Sequence, residues 1–161
     1  MVQSMHELSP NAAVGVAIRE FPTDTGPMDY LLMVEGQAIG VIEAKREEAG
    51  EQLNVVEDQS RRYAAASLKH LGQVALCFVF ESTGTITWFT DLRDPLPRAR
   101  ELFQFPRPET LARRLAEGQA LRTRLQAMPA TATLGPTGLR DCQFQAISRL
   151  EASFAEGRPR A

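Results

Sequence analysis

The chain has 161 residues, enough for one domain of ordinary size with a substantial hydrophobic core. Hydrophobic residues make up 43% of the sequence and charged residues 24%, a composition typical of soluble globular proteins. The formal net charge is −2, so any contact with nucleic acid has to come from a local basic patch. There is no signal peptide and no apolar stretch of about 18 residues, so we expect a cytoplasmic protein that does not enter a membrane.

The first predicted strand covers Val14 to Phe21 and ends in charged residues. Residues 22–27 follow it as a connection rich in Gly and Pro. We interpret Arg19 and Glu20 as surface residues at a strand end. An alternative stays open for Glu20, which could serve as an auxiliary acidic ligand of a metal ion.

The most informative stretch runs from Asp29 to Lys45 and reads DYLLMVEGQAIGVIEAK. Its two apolar runs, Tyr30–Val34 and Ile39–Ile42, are separated by Glu35-Gly36-Gln37, a pattern that predicts a β-hairpin. Both runs are apolar on both faces, which is typical of strands in the middle of a sheet. A loop of about three residues would place Asp29 opposite Glu43.

Charged side chains gather at the open end of this hairpin. Because side chains alternate along a strand, Glu43 and Lys45 should share one face, together with Ile39 and Val41. Carboxylates at a buried edge need a counter-charge, and Mg²⁺ binds one or two carboxylates plus water and phosphate oxygens. With Asp29 beside them, these residues predict phosphodiester hydrolysis. The alternative is a solvent-exposed Glu43–Lys45 ion pair worth roughly 0–1 kcal/mol.

A helix is predicted over residues 52–66. Gln59 and Tyr63 are four residues apart and are therefore neighbours on its surface. Their functional interpretation competes with simple packing, in which Tyr63 is a core aromatic residue. Arg61 and Arg62 could face phosphates, or could belong to a solvated face.

The remaining elements are two strands, a connection and two helical stretches. The strands are predicted at Val74–Phe80 and Thr85–Thr90, and residues 91–107 form a connection. A helix begins at Pro108, and Gly118 can interrupt its leucine stripe. A final amphipathic helix covers Leu139–Phe154, with Gln143, Ile147, Leu150 and Phe154 along one side. No GxxxxGK[ST] motif occurs, so the sequence contains no Walker phosphate-binding loop.

The order hairpin, helix, strand, strand, with Asp29 followed by Glu43-Ala44-Lys45, resembles the PD-(D/E)xK nuclease fold. GPMDYLLMVEGQAIGVIEAKR strongly resembles the nuclease domain of the restriction (R, motor) subunit of type I restriction enzymes. Gln59 and Tyr63 match the QxxxY motif of that family. LPRARELFQFPRPETL (Leu96 to Leu111) is similar to the stretch that follows its nuclease strands. The resemblance covers roughly residues 14–157.

The resemblance implies an α/β, restriction-endonuclease-like fold, in which helices flank a mixed sheet and a helical extension follows at the carboxy terminus. It also implies three parts of the chain. Residues 1–107 would be the nuclease core, residues 108–138 a helical extension and linker, and residues 139–161 the start of a truncated helicase motor domain.

By resemblance, the chain is a Mg²⁺-dependent endonuclease domain, with Mn²⁺ as a possible substitute, that cleaves double-stranded DNA. Its implied partners are the methyltransferase (M) and specificity (S) subunits of the restriction complex. The alternative is a non-catalytic DNA-binding or subunit-docking module of the same motor subunit. The implied metal ligands are Asp29, Glu43 and the carbonyl group of Ala44.

The other residues have implied roles around that metal. Lys45 would position the attacking water or stabilise the charge that develops on the phosphate. Gln59 and Tyr63 would orient the DNA or the lysine. The candidate DNA contacts are Arg46, Arg61 and Arg62.

The last predicted helix resembles the helix that opens the helicase motor in this family. Gln143 is similar to the adenine-reading Gln of superfamily two helicases, so ATP is implied as a cofactor of a full-length motor only. We therefore expect this sequence to be the amino-terminal piece of a longer motor subunit.

Overall fold

The computed structural model describes residues 2–4, 14–24, 26–46, 67–68, 71–127 and 138–156. The chain divides into two compact units, Met1–Gly118 and Gln119–Ala161. Of the described residues, those in the first unit form a β-sheet and one helix, and those in the second form two helices. Among the described residues, no helix has the length and apolar character needed to cross a membrane.

The strands of the first unit form one mixed sheet, which confirms the predicted α/β class. Within the described residues it has nine strands in the order β6-β5-β2-β3-β4-β7-β8-β9, with β1 beside β2. The strands are β1 (Val2–Ser4), β2 (Gly15–Thr23), β3 (Gly26–Val34), β4 (Gln37–Ala44), β5 (Ser67–Leu68), β6 (Gly72–Gln73), β7 (Phe78–Ser82), β8 (Thr87–Asp91) and β9 (Arg100–Leu102).

The centre of the sheet combines antiparallel and parallel pairing. Strands β2, β3 and β4 are antiparallel, whereas β4 and β7 are parallel. Parallel neighbours need a long crossover connection, which is usually helical. The helix predicted over residues 52–66 falls in this connection and lies outside the described residues.

Both faces of the sheet are apolar, as the two-faced pattern of the hairpin predicts. The cross-strand partners Leu31 and Val41 lie in one hydrophobic cluster, and their neighbours Leu32 and Ile42 pack against another. Because side chains alternate along strands, the two clusters cover opposite faces. Strands β3 and β4 therefore lie in the middle of the core.

Helix α1 (Pro108–Ala116) packs on the second of these faces through the buried side chain of Leu111. It begins with Pro in its first turn, as predicted. Gly118, at φ 70°, ends it with the left-handed conformation common after helices, so the leucine stripe is interrupted there. The first compact unit extends to Gly118 and includes α1, and the division of the chain at residue 107 stays a prediction.

Several strand boundaries differ from the predictions. The apolar run Val74–Phe80 predicts a strand, but β7 begins only at Phe78 and continues to Ser82. Val74 and Leu76 belong to or pack against a hydrophobic cluster without pairing to β4, whose register with β7 begins at Gly40 and Phe78. An apolar run therefore predicts which residues are buried. Which of those residues pair in the sheet depends on the neighbouring strand.

Three further differences concern strands and their connections. The strand predicted at Thr85–Thr90 is observed as β8, two residues later at its start. The predicted connection over residues 91–107 contains the short strand β9, which pairs with β8. The connection between β2 and β3 is shorter than predicted, because Thr23 pairs with Gly26.

The second unit contains α2 (Leu121–Gln126) and α3 (Asp141–Ala155), which confirms the final predicted helix. The face of α3 that packs differs from the predicted one. Leu150 and Phe154 are exposed, whereas Ser153 is buried and Phe144 is half-buried. The Ser148 hydroxyl donates a hydrogen bond to the Phe144 carbonyl, so the packed side of α3 carries polar as well as apolar residues.

Candidate active site

Three acidic residues lie on three neighbouring central strands of the sheet, β3, β4 and β7. Tyr30 of β3 pairs with Ile42 of β4, so Asp29 and Glu43 are the next residues of these two antiparallel strands. On the other side of β4, Glu43 pairs directly with Glu81 of the parallel strand β7. The sheet therefore brings Asp29, Glu43 and Glu81 into one row.

Asp29 lies beside the Glu43-Ala44-Lys45 segment, but the turn of the hairpin differs from the predicted three-residue loop. The turn has two residues, Glu35 and Gly36, with positive φ angles of 50° and 77°. This is the φ pattern of a type I′ hairpin turn. A register shift beside Ile39, where Leu32 pairs with Gly40 and Met33 with Ala38, then adds the missing residue.

The register shift at Ile39 is a β-bulge, and because of it one prediction about the faces of β4 is wrong. Ile39 was expected on the face of Val41 and Glu43, but it lies in the hydrophobic cluster that contains Phe78. Val41 lies in the other cluster. The reason is that an extra residue in one strand interrupts the strict alternation of side chains.

The Asp29 carboxylate is hydrogen-bonded to the backbone of β4. The amide N of Ala44 donates to Asp29 Oδ2 at 2.7 Å. Hydrogen bonds to an ionised acceptor are short and are about twice as strong as neutral ones. Because Ala44 lies between Glu43 and Lys45, this bond fixes the aspartate beside both of them.

Lys45 lies between two carboxylates. Its Nζ atom is 3.8 Å from Glu43 Oε2 and 3.9 Å from Glu81 Oε1. The exposed fractions of the Lys45, Glu43 and Glu81 side chains are 21%, 17% and 5%. This partial burial favours a clustered site over the alternative of a solvent-exposed Glu43–Lys45 surface pair.

The backbone of Lys45 is also fixed. Its amide N donates to the Ser82 carbonyl at 2.8 Å, which extends the pairing of β4 with β7 one residue past Ala44. The lysine therefore leaves the sheet at a defined position, with Glu81 in the adjacent strand.

Glu81 is a residue that the sequence analysis missed. Burial raises the pKa of its carboxyl group, the nearby Lys45 ammonium lowers it, and Glu43 raises it further. The available signal was a glutamate directly after the apolar run ending at Phe80, just as Glu43 follows Ile42 in the hairpin. That signal has meaning only if the two strands are known to be parallel neighbours.

Asp29, Glu43 and the Ala44 carbonyl supply only oxygen donors, which are the ligands that Mg²⁺ prefers. Among the described residues, no three His, Cys, Asp or Glu side chains are arranged to hold a metal ion together. A Mg²⁺ ion commonly uses only one or two carboxylates, with water in the other positions. The donor set of Asp29 and Glu43 therefore fits such an ion in type and number.

The remaining predicted residues are less informative. Arg46 is exposed and directly follows Lys45. The candidates Gln59, Tyr63, Arg61 and Arg62 lie outside the described residues. Glu20 is exposed and accepts a hydrogen bond from Arg19 Nη2 at 3.3 Å, which favours the surface interpretation of this pair.

Gln143 has a local structural role at the start of α3. Its side-chain Oε1 accepts a hydrogen bond from the Arg140 backbone N at 3.0 Å. A Gln at the third position of a helix commonly satisfies a backbone N–H group in this way. Its assignment to an adenine site in a full-length motor stays a prediction.

Part of the chain is similar to a known protein family. Residues 3–82 match the family model described as the type I restriction enzyme EcoKI endonuclease subunit second domain. The matched stretch is just under half of the chain and contains Asp29, Glu43, Lys45 and Glu81. No curated protein and no solved structure matches the chain. This part of the chain is therefore similar to a region of the type I restriction enzyme endonuclease (R) subunit.

Proposed function

We propose that this chain is a Mg²⁺-dependent nuclease domain that hydrolyses phosphodiester bonds of double-stranded DNA in a type I restriction enzyme. The single observation that carries the proposal is the hydrogen bond from Ala44 N to Asp29 Oδ2 at 2.7 Å. It joins the aspartate of one strand to the Glu43-Ala44-Lys45 segment of the next. An acid, a second acid and a lysine thereby occupy one strand end.

The balance of charge supports a cation at this position. Asp29, Glu43 and Glu81 supply three carboxyl groups, and Lys45 is the ammonium group beside two of them. Partly buried carboxylates need a nearby positive charge. The proposed ligands are Asp29, Glu43 and the Ala44 carbonyl, and a bound Mg²⁺ or Mn²⁺ would supply Lewis-acid polarisation of the phosphate.

Lys45 would act on the reacting phosphate from the same strand end. Its ammonium group can donate hydrogen bonds to a phosphate oxygen or orient the attacking water. A donor fixed before the reaction stabilises the negative charge that develops in the transition state. The burial of Lys45 strengthens this effect, because less water screens the charge.

The proposal extends to residues and partners around this strand end. Gln59 and Tyr63 would orient the DNA or Lys45, and Arg46, Arg61 and Arg62 would contact DNA phosphates, which position the duplex without reading its sequence. The methyltransferase and specificity subunits would be the protein partners in the cytoplasm. ATP would bind only to a full-length motor subunit, through Gln143.

A plasmid-nicking assay tests the proposed activity. Supercoiled DNA is incubated with the purified chain and Mg²⁺, Mn²⁺ or EDTA, and nicked circles are counted over time. We expect nicking with either metal and none with EDTA. The Asp29→Asn variant retains a side-chain oxygen for the Ala44 N–H group but loses a charged ligand, so it should not nick.

Two results would contradict the proposal. Nicking by Asp29→Asn at the wild-type rate would place the active site elsewhere. A folded wild-type chain that binds DNA but does not nick it with either metal would favour the DNA-binding or docking module instead.

A further inference from the structure

Glu81, near the end of β7, is a buried carboxyl group in an otherwise apolar stretch of the strand. Glu81 follows Phe78, Val79 and Phe80, which are all buried and apolar. The residue itself is only 4% exposed. Removing a carboxylate from water is costly unless a counter-charge and hydrogen bonds compensate it.

The ion pair with Lys45 does not explain Glu81 as a source of stability. Buried ion pairs are often no more stabilising than well-packed apolar residues of similar volume. The Lys45–Glu81 distance of 3.9 Å is also long for a strong charge-assisted hydrogen bond. An apolar residue would continue the core of β7 at lower cost, so the carboxyl group calls for a role at the strand end.

The relation of Lys45 to its two carboxylates suggests that role. Lys45 Nζ is almost equally far from Glu43 and Glu81, at 3.8 and 3.9 Å. Glu43 is a proposed metal ligand, so a cation would compete with the ammonium group for it. Glu81 stands farther from Asp29, one strand beyond Glu43, and it would still hold the ammonium group.

We infer that Glu81 is a positioning residue that holds the Lys45 ammonium in place beside the reacting phosphate. This inference rests on the proposed nuclease function. Strand pairing supports it, because Glu43 pairs with Glu81 and the Lys45 N–H group donates to Ser82 O at 2.8 Å. Both ends of the Lys45–Glu81 contact are therefore attached to paired backbone, and residues on strands hold a site more accurately than residues on loops.

Lysine acetylation can measure this contact directly, because Lys45 and Lys69 are the only lysines in the sequence. The metal-free chain is treated with a limiting amount of isotope-labelled acetic anhydride, and mass spectrometry measures acetylation at each lysine. Lys69 serves as the internal reference. An amine held in an ion pair inside a site is acetylated more slowly than one released to solvent.

Two variants separate positioning from folding. Glu81→Gln keeps the volume and one acceptor oxygen, and Glu81→Ala removes both oxygens. We expect Glu81→Ala to raise acetylation of Lys45 severalfold relative to Lys69 and to lower the kcat for plasmid nicking at least about tenfold. The KM for DNA should not change, and Glu81→Gln should show smaller effects of both kinds.

Glu101→Ala is the matched control, because Glu101 is an exposed acid on β9 of the same sheet. It should leave acetylation and nicking at wild-type values. Acetylation of Lys45 unchanged in both Glu81 variants would overturn the inference, even if the wild-type chain nicks DNA. A wild-type chain that does not nick DNA would refute the proposed function, and acetylation would then decide the Glu81–Lys45 contact alone.

Discussion

Strand β4 has two different neighbours, and each supplies one half of the candidate site. On the β3 side, the chain turns back at once, and Asp29 accepts a hydrogen bond from Ala44, 15 residues later. On the β7 side, the strands are parallel, and Lys45 meets Glu81 only after a long crossover. The first half is local in the sequence, and the second depends on the tertiary fold.

The two halves of the candidate site should also have different roles. The β3 side brings a second carboxylate to Glu43, which suits a metal ion. The β7 side adds Glu81 as a second carboxylate near Lys45, whose side chain is largely shielded from solvent. Changes on the two sides should therefore have different effects, on metal binding in one case and on the lysine in the other.

The largest expected effect comes from removing the Lys45 ammonium group, which lies near both Glu43 and Glu81. Lys45→Ala should lower the kcat for plasmid nicking roughly a hundredfold, about 2.7 kcal/mol of transition-state stabilisation. Metal binding should persist, because Asp29 and Glu43 are unchanged. Steady-state nicking kinetics and a metal titration measure the two properties separately.

Arg46→Ala provides the comparison for this variant, because Arg46 is the exposed neighbour of Lys45. A residue that contacts only DNA phosphates should affect KM and its salt dependence, and leave kcat near the wild-type value. If Lys45→Ala instead behaved like Arg46→Ala, Lys45 would be a DNA contact and not part of the reaction.

The next largest effect comes from a substitution that disturbs the pairing of β4 with β7 without changing a charged residue. A Cβ atom added at Gly40 would collide with the Phe78 carbonyl oxygen and would lie 3.0 Å from the Phe78 Cβ atom. Gly40→Ala should therefore reduce the free energy of unfolding by about 1–3 kcal/mol, the usual cost of overpacking. Urea denaturation measures this change.

Gly36→Ala tests the β3 side, because Gly36 lies in the turn between β3 and β4. A Cβ atom there has no atom within 4 Å, so only its positive φ of 77° opposes alanine. That strain costs roughly 1–2 kcal/mol. A Gly40→Ala chain as stable as the wild type would contradict the close approach of β4 and β7.

The smallest effect is a change in how stability depends on pH. Because the pKa of Glu81 is raised in the folded chain, mainly by burial, the folded state binds its proton more readily than the unfolded state. The stability that this proton contributes is complete below the unfolded pKa and is lost as the pH rises through the folded pKa. Glu81→Gln cannot ionise and should not show this loss.

We therefore expect Glu81→Gln to gain stability relative to the wild type as the pH rises from acidic to neutral. Urea denaturation of both chains across that range measures the difference. A difference that does not vary with pH would mean that Glu81 titrates alike in the folded and unfolded chains.

The sequence predicts the β3 half of the site because the hairpin depends on neighbouring residues. Two errors within it cancelled: the turn is one residue shorter than predicted, and the bulge at Ile39 adds that residue. The burial of both sheet faces also follows from the apolar runs. The face of Ile39 could not be predicted, because no local pattern announces the bulge.

The β7 half could not be predicted for a physical reason. The end of β7 and the role of Glu81 depend on which strand lies beside β4, and that choice is made by tertiary packing. The packed face of α3 is a similar case, since Leu150 and Phe154 are exposed although their pattern predicts burial. Hydrophobic periodicity shows that a helix has an apolar side, and contacts decide which side is covered.

The central claim is that Asp29 and Glu43 bind a divalent metal ion at the end of the hairpin. Thermal denaturation with and without Mg²⁺ or Mn²⁺ tests it most directly. At a metal concentration about 100 times the dissociation constant, the wild-type chain should gain about 2.7 kcal/mol of stability, as should Glu101→Ala. Asp29→Asn should fold but gain little. An equal gain in Asp29→Asn and wild type, or no gain in the wild type, would contradict the claim.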